Sequence, residues 1–334
     1  MVRKILSFYT KYFAVWIVLF GVMAYFFPKP FLNLEKATTW FFAVTIESKL
    51  PQALRLGKGM SWFFALTMFG IGAVLKAEDF KRIAKRPVIV LIGCCAQFTI
   101  MPLGAFVAAK ILNLPPEIAV GLILTGSAPG AMASNVMCYI AKADTAYSVS
   151  LTTVSTLLCP LLTPGLTFLL AGAELDVPFN KMMLSVVNMV VIPLLTGFAV
   201  RHFLKQKVEK ILVIFPAISA TFIIFICSLV IAMNADYLGK VTGVILVGAI
   251  GLNIYGLAAG YGVGSLFRME LARRRTLAIE IGMQNAGLGT VLALTHFGEK
   301  AAIPAAIFVF VCIITASALS AFWQKAPFSG RQPK

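Results

Sequence analysis

The stretch Leu277-Ala278-Ile279-Glu280-Ile281-Gly282-Met283-Gln284-Asn285-Ala286-Gly287 sets one carboxylate in the middle of an apolar segment long enough to cross a membrane. A charge at the bilayer centre costs about 2.5–3.5 kcal/mol on insertion scales, so it persists where a partner compensates it, and that partner is usually the function. The expectation is a bound cation.

The rest of the chain fits. With 60% hydrophobic and 13% charged residues and a mean hydropathy of +0.91, it is too apolar for a soluble fold and reads as an all-α polytopic membrane protein. Residues 1–334 form a single membrane domain in this reading, with no separate soluble domain. Arg3, Lys4 and Lys11 precede an apolar run from Phe13 to Phe27 that resembles a signal peptide; no small-residue cleavage site follows, so it reads as a retained first helix. The cysteines at 94, 95, 138, 159, 227 and 312 all fall in apolar segments without metal or disulfide spacing, and read as small buried hydrophobes. His202 and His296 sit at helix ends, and neither is expected to be catalytic.

Apolar windows able to cross ~30 Å number ten, at 13–27, 60–76, 87–110, 117–141, 146–171, 181–203, 210–233, 241–267, 275–296 and 302–324. An N-terminus on the inner side puts 20 of the 29 Lys and Arg there, which predicts both termini in the cytoplasm and a multi-pass protein of the cell (plasma) membrane. The net charge of +16 is therefore a topology signal with contact to anionic membrane lipid as a secondary role, and no nucleic-acid partner is expected. Nothing in the residues points to a particular oligomer. The segment 28–59 contains Trp40-Phe41-Phe42-Ala43-Val44-Thr45-Ile46, too short to span, and reads as an interfacial helix or an excursion.

Two spans are interrupted. The fourth carries Thr125-Gly126-Ser127-Ala128-Pro129-Gly130-Ala131-Met132-Ala133-Ser134-Asn135, with Gly, Pro and polar side chains where a lipid-facing helix should be uniform. The ninth sets Gly282, Gly287 and Gly289 around Glu280, Gln284 and Asn285, and each motif holds a polar residue followed by Asn, at Ser134-Asn135 and Gln284-Asn285. If the chain divides as five helices plus five, each break lies in the fourth span of its half, and an odd number per half makes the halves opposite in orientation. The expected architecture is ten transmembrane helices in two inverted five-helix repeats, 13–171 and 181–324, with two crossing discontinuous helices, as in secondary transporters. Gly-kinked helices packed by small residues are the simpler alternative, but kinks leave the Glu, Gln and two Asn at one depth unexplained.

In the fifth span Thr145, Ser148, Thr152 and Ser155 recur at spacings of three and four, so they share one helical face. Such a stripe serves helix packing in isolation; following directly on Ser134-Asn135, it can close around the same ion. Gln97 is a further mid-span amide. Glu, Asn, Gln, Ser, Thr and backbone oxygens suit a hard cation, and no thiolate or imidazole cluster is offered to a transition metal. The choice is between sodium and a proton carried by Glu280.

The run Ala133-Ser134-Asn135-Val136-Met137, the segment Ser148 to Pro160 and Glu280-Ile281-Gly282-Met283-Gln284-Asn285 together resemble the bile acid:sodium symporter family, and the resemblance extends from Met68-Phe69-Gly70 through the last helix. It implies a panel domain of the first, second, sixth and seventh helices and a core domain of the third to fifth and eighth to tenth. It also implies two Na⁺ ions, one held by Ser134, Asn135, Ser148, Thr152 and Glu280, the other by Gln97, Glu280, Gln284 and the main-chain oxygens of Ile281 and Met283. Substrate would lie between core and panel near Asn285, Met132, Ala133, Cys312 and Ile313.

Departures from the family pattern concern the cargo. Related bacterial members often read Gly-Thr-Ala-Ser-Asn where this chain reads Ala131-Met132-Ala133-Ser134-Asn135, and several carry His-Asn where it has Cys312-Ile313. The segment at about 36–59 looks like an insertion. The implied function is sodium-coupled symport of an organic anion by alternating access, the anion being a small carboxylate such as pantoate or a keto acid, or a bile acid-like sterol. A proton-coupled carrier or exporter of the same fold is the alternative. An enzyme is not expected: the chain offers one membrane carboxylate and neither Gly-x-Ser-x-Gly nor His-Glu-x-x-His. Nor is a channel, since two broken helices suit occlusion better than a continuous pore.

Overall fold

The computed structural model describes residues 12–45, 59–173, 175–204 and 214–325. The basic residues Arg3, Lys4, Lys11, Lys205, Lys207, Lys210, Arg331 and Lys334, on which part of the charge argument rests, lie outside these.

Regular structure among the described residues is helical. The elements are α1 (Phe13–Phe26), α2 (Pro28–Thr45), α3 (Gly59–Val74), α4 (Ala77–Lys85), α5 (Pro87–Ile111), α6 (Pro116–Gly126), α7 (Ala133–Ile140) and α8 (Thr145–Ala171). They continue as α9 (Phe179–Leu204), α10 (Phe215–Met233), α11 (Ala235–Leu266), α12 (Leu271–Gly282), α13 (Ala286–His296), a 3₁₀ turn (Lys300–Ala302) and α14 (Ile303–Lys325). Six helical stretches are long and apolar enough to cross a membrane, in α5, α8, α9, α10, α11 and the 3₁₀ turn with α14, rising to eight if each of two bent pairs counts as one span.

The starts follow local chemistry. Pro87 and Pro116 open α5 and α6, where the first-turn amides have no helical partner and proline's missing N–H costs nothing. Asp144 caps α8 by accepting from Tyr147 N at 3.0 Å, and Asn285 caps α13 by accepting from Leu288 N at 3.2 Å.

Three features depart from the expected spans. Residues 28–45 form one helix that begins at Pro28 and meets α1 at 103°, so the stretch from Trp40 is the end of a longer helix and not a separate element. Pro28 and Pro30 fit its first turn, which explains why the bend falls there. Of the segment at about 36–59, residues 46–58 lie outside those described. The basic stretch after α3 is itself a helix, α4, turned 74° from α3, with Phe80 ringed against Phe198 at 5.1 Å. Within α9 the ladder widens to a π-turn at Val187–Val191.

Packing divides the helices. α3 lies along α9 and α1 along α10, while α11 lies along α12 and α5, and α5 along α6 and α8. Glycines permit the closest approaches: a Cβ at Gly72 would stand 1.9 Å from Leu194 O, and one at Gly197 would stand 2.0 Å from Phe69 O. Between the two groups, Phe64 of α3 and Phe222 of α10 are fully buried with centroids 5.3 Å apart, and both rings reach toward Gly287 at the start of α13.

Candidate ion site

The two interruptions meet. α6 stops at Gly126 and α7 starts at Ala133, because Pro129 disfavours helical backbone in the residue before it and cannot donate a helical bond. α12 stops at Gly282 and α13 starts at Ala286. Each break leaves carbonyl and amide groups without helical partners, and these pair with each other. Ala131 N donates to Met283 O at 2.9 Å and Asn285 N to Pro129 O at 2.8 Å, an antiparallel bridge of Gly130 with Gln284. Sequence separation here exceeds 150 residues, so only the tertiary fold forms this junction.

Glu280 sits one turn before the second break and is 2% exposed. Its carboxylate accepts three hydroxyl donors from two other helices. Ser134 Oγ of α7 donates at 2.6 Å and Ser148 Oγ of α8 at 3.0 Å, and Thr152 Oγ1 of α8, one turn further on, donates to the same oxygen as Ser148. Gly130 closes the site from the other side: its Cα is so near that an added Cβ would stand 3.1 Å from Glu280 Oε2. Three hydroxyls thus point their dipoles at this carboxyl group, and no basic side chain is paired with it among the described residues.

The amides form a second cluster beside the first. Gln97 Nε2 of α5 donates to Gln284 Oε1 at 2.8 Å, and Gln284 Nε2 donates to Ile281 O at 2.9 Å. A small cavity with room for a particle of about one water's size opens beside Gln97 and Glu280, lined by Gly93, Cys94, Gln97, Gly130, Leu151, Ser155 and Glu280. Asn135 Oδ1 is buried without a hydrogen-bond partner, while its Nδ2 reaches Met132 Sδ at 3.7 Å. A carboxylate with three hydroxyls around it, together with an open buried oxygen on the residue that follows Ser134, is a donor set that suits a hard cation. No cluster of three or more His, Cys, Asp or Glu occurs among the described residues.

The structure thus brings together Gln97, Ser134, Ser148, Thr152, Glu280 and Gln284, with the main-chain oxygens of Ile281 and Met283 at the junction itself. Asn135 follows Ser134 on α7, and Thr145 stands at the start of α8 without a bond to Glu280. Met132 and Ala133 are half-buried at the entry to α7. Cys312 and Ile313 are buried in α14, and Cys312 Sγ bonds Val309 O of its own helix at 3.4 Å. Asn285 Oδ1 is spent on capping α13.

Two partners were missed in the sequence. Thr163 Oγ1 of α8 donates to Ser127 O at 2.7 Å, and Asn253 Nδ2 of α11 donates to Gly282 O at 2.8 Å, so each broken helix has a carbonyl at its end held by a neighbour. Asn253 lies mid-span, and the signal that singled out Gln97 would have found it.

A clasp closes the space between α8 and α12 one turn from the carboxylate. Arg273 Nε pairs with Asp144 Oδ2 at 3.3 Å, Thr276 Oγ1 donates to Asp144 O at 3.1 Å, and Arg275 Nη1 donates to Ala141 O at 3.2 Å. Asp144→Ala removes the α8 cap and the ion pair together, and is expected to cost about 1–2 kcal/mol. Thermal unfolding of the purified protein checks this: a fall of several degrees is expected, and an unchanged midpoint would show that the clasp adds no stability.

Fold and site together define a multi-pass helical membrane protein built around a buried, oxygen-rich polar centre. The family model described as "Sodium Bile acid symporter family" matches residues 62–241, more than half of the chain. The chain belongs to that family, a family of membrane transporters. It is 38% identical over 326 residues to YocS of Bacillus subtilis (strain 168), described as an uncharacterized sodium-dependent transporter, covering 97% of this chain and 94% of that one. It is 34% identical to the probable sodium/metabolite cotransporter BASS1, chloroplastic, of Arabidopsis thaliana, over 78% of this chain and 65% of that protein. Sodium/bile acid cotransporter 4 of Mus musculus is 28% identical over 70% of this chain and 55% of its own length.

Proposed function

We propose that the protein is a sodium-coupled secondary symporter of a small organic anion, working by alternating access. The observation that carries the reading is the buried Glu280 carboxylate, bound by hydroxyls of α7 and α8 at the point where two helix breaks pair. Sodium-dependent and sodium/metabolite descriptions of the relatives support it.

In this reading α6 with α7, and α12 with α13, are the two discontinuous spans that bring the total to ten, in inverted repeats 13–171 and 181–324. The α1, α3, α9 and α10 group acts as panel, and α5 to α8 with α11 to α14 as core, in keeping with the way these helices pack. One Na⁺ binds Ser134, Asn135, Ser148, Thr152 and Glu280, recruiting the open Asn135 Oδ1. A second binds Gln97, Glu280, Gln284 and the oxygens of Ile281 and Met283, replacing the Gln97–Gln284 hydrogen bond with ion–oxygen contacts. The substrate meets Asn285, Met132, Ala133, Cys312 and Ile313 where core faces panel, in the plasma membrane with both termini cytoplasmic.

The division of labour follows from charge. Sodium neutralises Glu280 and fixes the crossing of the breaks; the anion then binds beside them, and the core moves against the panel. Coupling is the higher affinity of one state for both ligands. Two ions with one monoanion move one net charge, worth ~2.3 kcal/mol at 100 mV. A tenfold sodium gradient adds ~1.4 kcal/mol per ion. Together these support accumulation of a few thousandfold.

The test starts with a thermal-shift screen of carboxylates, with and without sodium at constant ionic strength, because linkage predicts stabilisation by the right anion mainly when sodium is present. Uptake of the anion so found is then measured in liposomes. Replacing Na⁺ by choline should abolish accumulation; uptake that persists and follows a pH gradient would replace sodium by a proton on Glu280.

A further inference from the structure

α12 ends inside the protein, so its last carbonyls need partners other than water. Ile279 O takes Met283 N at 2.9 Å, Ile281 O takes Gln284 Nε2 at 2.9 Å, and Met283 O takes Ala131 N at 2.9 Å. Each of those donors comes from a break. Gly282 O, between them, is held at 2.8 Å by a side chain from outside both breaks, Asn253 of α11.

Asn253 is wholly buried, and its Oδ1 has no hydrogen-bond partner. Placing an amide there leaves one polar atom unpaired, a cost that a Leu or Ala would avoid. The approach is specific as well. Gly256 and Gly260, on the same face of α11 at steps of three and four, let α11 lie directly on α12: an added Cβ at Gly256 would stand 3.1 Å from Ile281 O, and one at Gly260 would stand 2.5 Å from Leu277 O. The seam therefore delivers the Asn253 amide to the one carbonyl that separates Ile281 from Met283.

We propose that Asn253 is a positioning residue of the ion site. Its bond to Gly282 O ends α12 at a defined residue and aims the flanking carbonyls of Ile281 and Met283, so the site is ordered before an ion arrives. The residue touches neither the Glu280 carboxylate nor the cavity, and acts through the backbone. The ion half of this proposal rests on the sodium reading above. The effect expected on removal follows from the 10–100-fold loss of metal affinity typical when an outer-shell partner of a ligand is removed.

The experiment uses the purified full-length protein, wild type, Asn253→Leu (similar size, no donor) and Asn253→Ser (a smaller donor). Hydrogen–deuterium exchange in choline chloride reads the break directly. Asn253→Leu should exchange faster at the amides of 283–286 by about tenfold, with α8 unchanged and Asn253→Ser between the two. Sodium titration of the melting temperature at constant ionic strength should show the half-saturating concentration raised about tenfold in Asn253→Leu, with the fully sodium-saturated shift retained. If Asn253→Leu does not fold, the same two readings are taken on Asn253→Ser. Exchange at 283–286 equal to wild type in the folded variant overturns the positioning role. Faster exchange with an unmoved sodium titration confines Asn253 to holding the helix end and overturns its part in ion binding. A wild type that does not respond to sodium overturns the sodium reading itself, and is distinguished from failure of Asn253 because the exchange measurement needs no ion.

Discussion

Glu280→Gln is expected to reduce sodium-dependent uptake at least about 100-fold while leaving a folded protein, because in the proposed reading it removes the charge that holds the ion and keeps the side chain's shape. The amide presents an N–H₂ where the carboxylate presents a second acceptor. Ser134 Oγ donates to one oxygen, and Ser148 and Thr152 donate to the other, so at least one hydroxyl meets a donor and must turn away. A buried amide costs less than a buried charge without a counter-ion, so the substitution is expected to leave the sodium-free protein folded. Initial rates in liposomes, with matched reconstitution of wild type and variant, measure the effect. Retention of more than about a tenth of the wild-type rate would sink the assignment of Glu280 to the ion site. A milder series should follow from the hydroxyls: Ser134→Ala or Ser148→Ala removes one oxygen of a set and leaves the charge, so affinity for sodium should fall further than the maximal rate.

Gly121→Val is expected to have the largest effect on the fold itself. Gly121 sits in α6 against the 3₁₀ turn before α14, and an added Cβ would stand 1.9 Å from Ala301 O and 2.9 Å from Ala301 C. Both are backbone atoms within a buried turn, so no side-chain rotation relieves the overlap, and α6 must move away from α14. Over-packing a well-filled interior costs about 1–3 kcal/mol when side chains can adjust, and more is expected where the obstacle is main chain. The yield of monodisperse protein should collapse. Gly165→Ala is the matched control: its Cβ would meet only Phe179 Cε2 at 3.7 Å, an ordinary contact, and Ala favours helix over Gly by about 1 kcal/mol. Equal yield and melting temperature for Gly121→Val and Gly165→Ala would show that the α6 seam is not a close-packed constraint.

Much of the site was legible because its residues violate a simple rule. A membrane-length apolar segment should be uniform, and Glu280, Gln284, Gln97 and the Ser134-Asn135 pair depart from that by residue type alone. The polar face of α8 was equally readable, since Ser148 and Thr152 repeat at helical spacing, and the structure puts both on Glu280. What spacing does not tell is which member of a stripe reaches the site: Thr145 shares the periodicity and makes no bond to the carboxylate. Asn253 bears the mark that singled out Gln97, an amide in mid-span, and was passed over because it stands alone among glycines.

The helices outside the site divide in the same way. The breaks at Pro129-Gly130 and Gly282 follow from local backbone chemistry, as do the starts at Pro87 and Pro116. The bend of 103° before α2, the turn of 74° into α4 and the π-turn in α9 do not. They depend on what each helix packs against, and hydropathy windows do not see neighbours.

By itself, then, the sequence determined that this chain lives in a membrane, that it carries one carboxylate there, and that two segments cannot remain continuous helices, because each of these is a property of residue type and short spacing. That the two breaks bond to each other, that hydroxyls from α7 and α8 surround Glu280, and that Asn253 holds the end of α12 were decided by the tertiary structure alone. Those contacts join residues from 29 to more than 150 positions apart, and only packing in three dimensions sets which of the available polar groups meet.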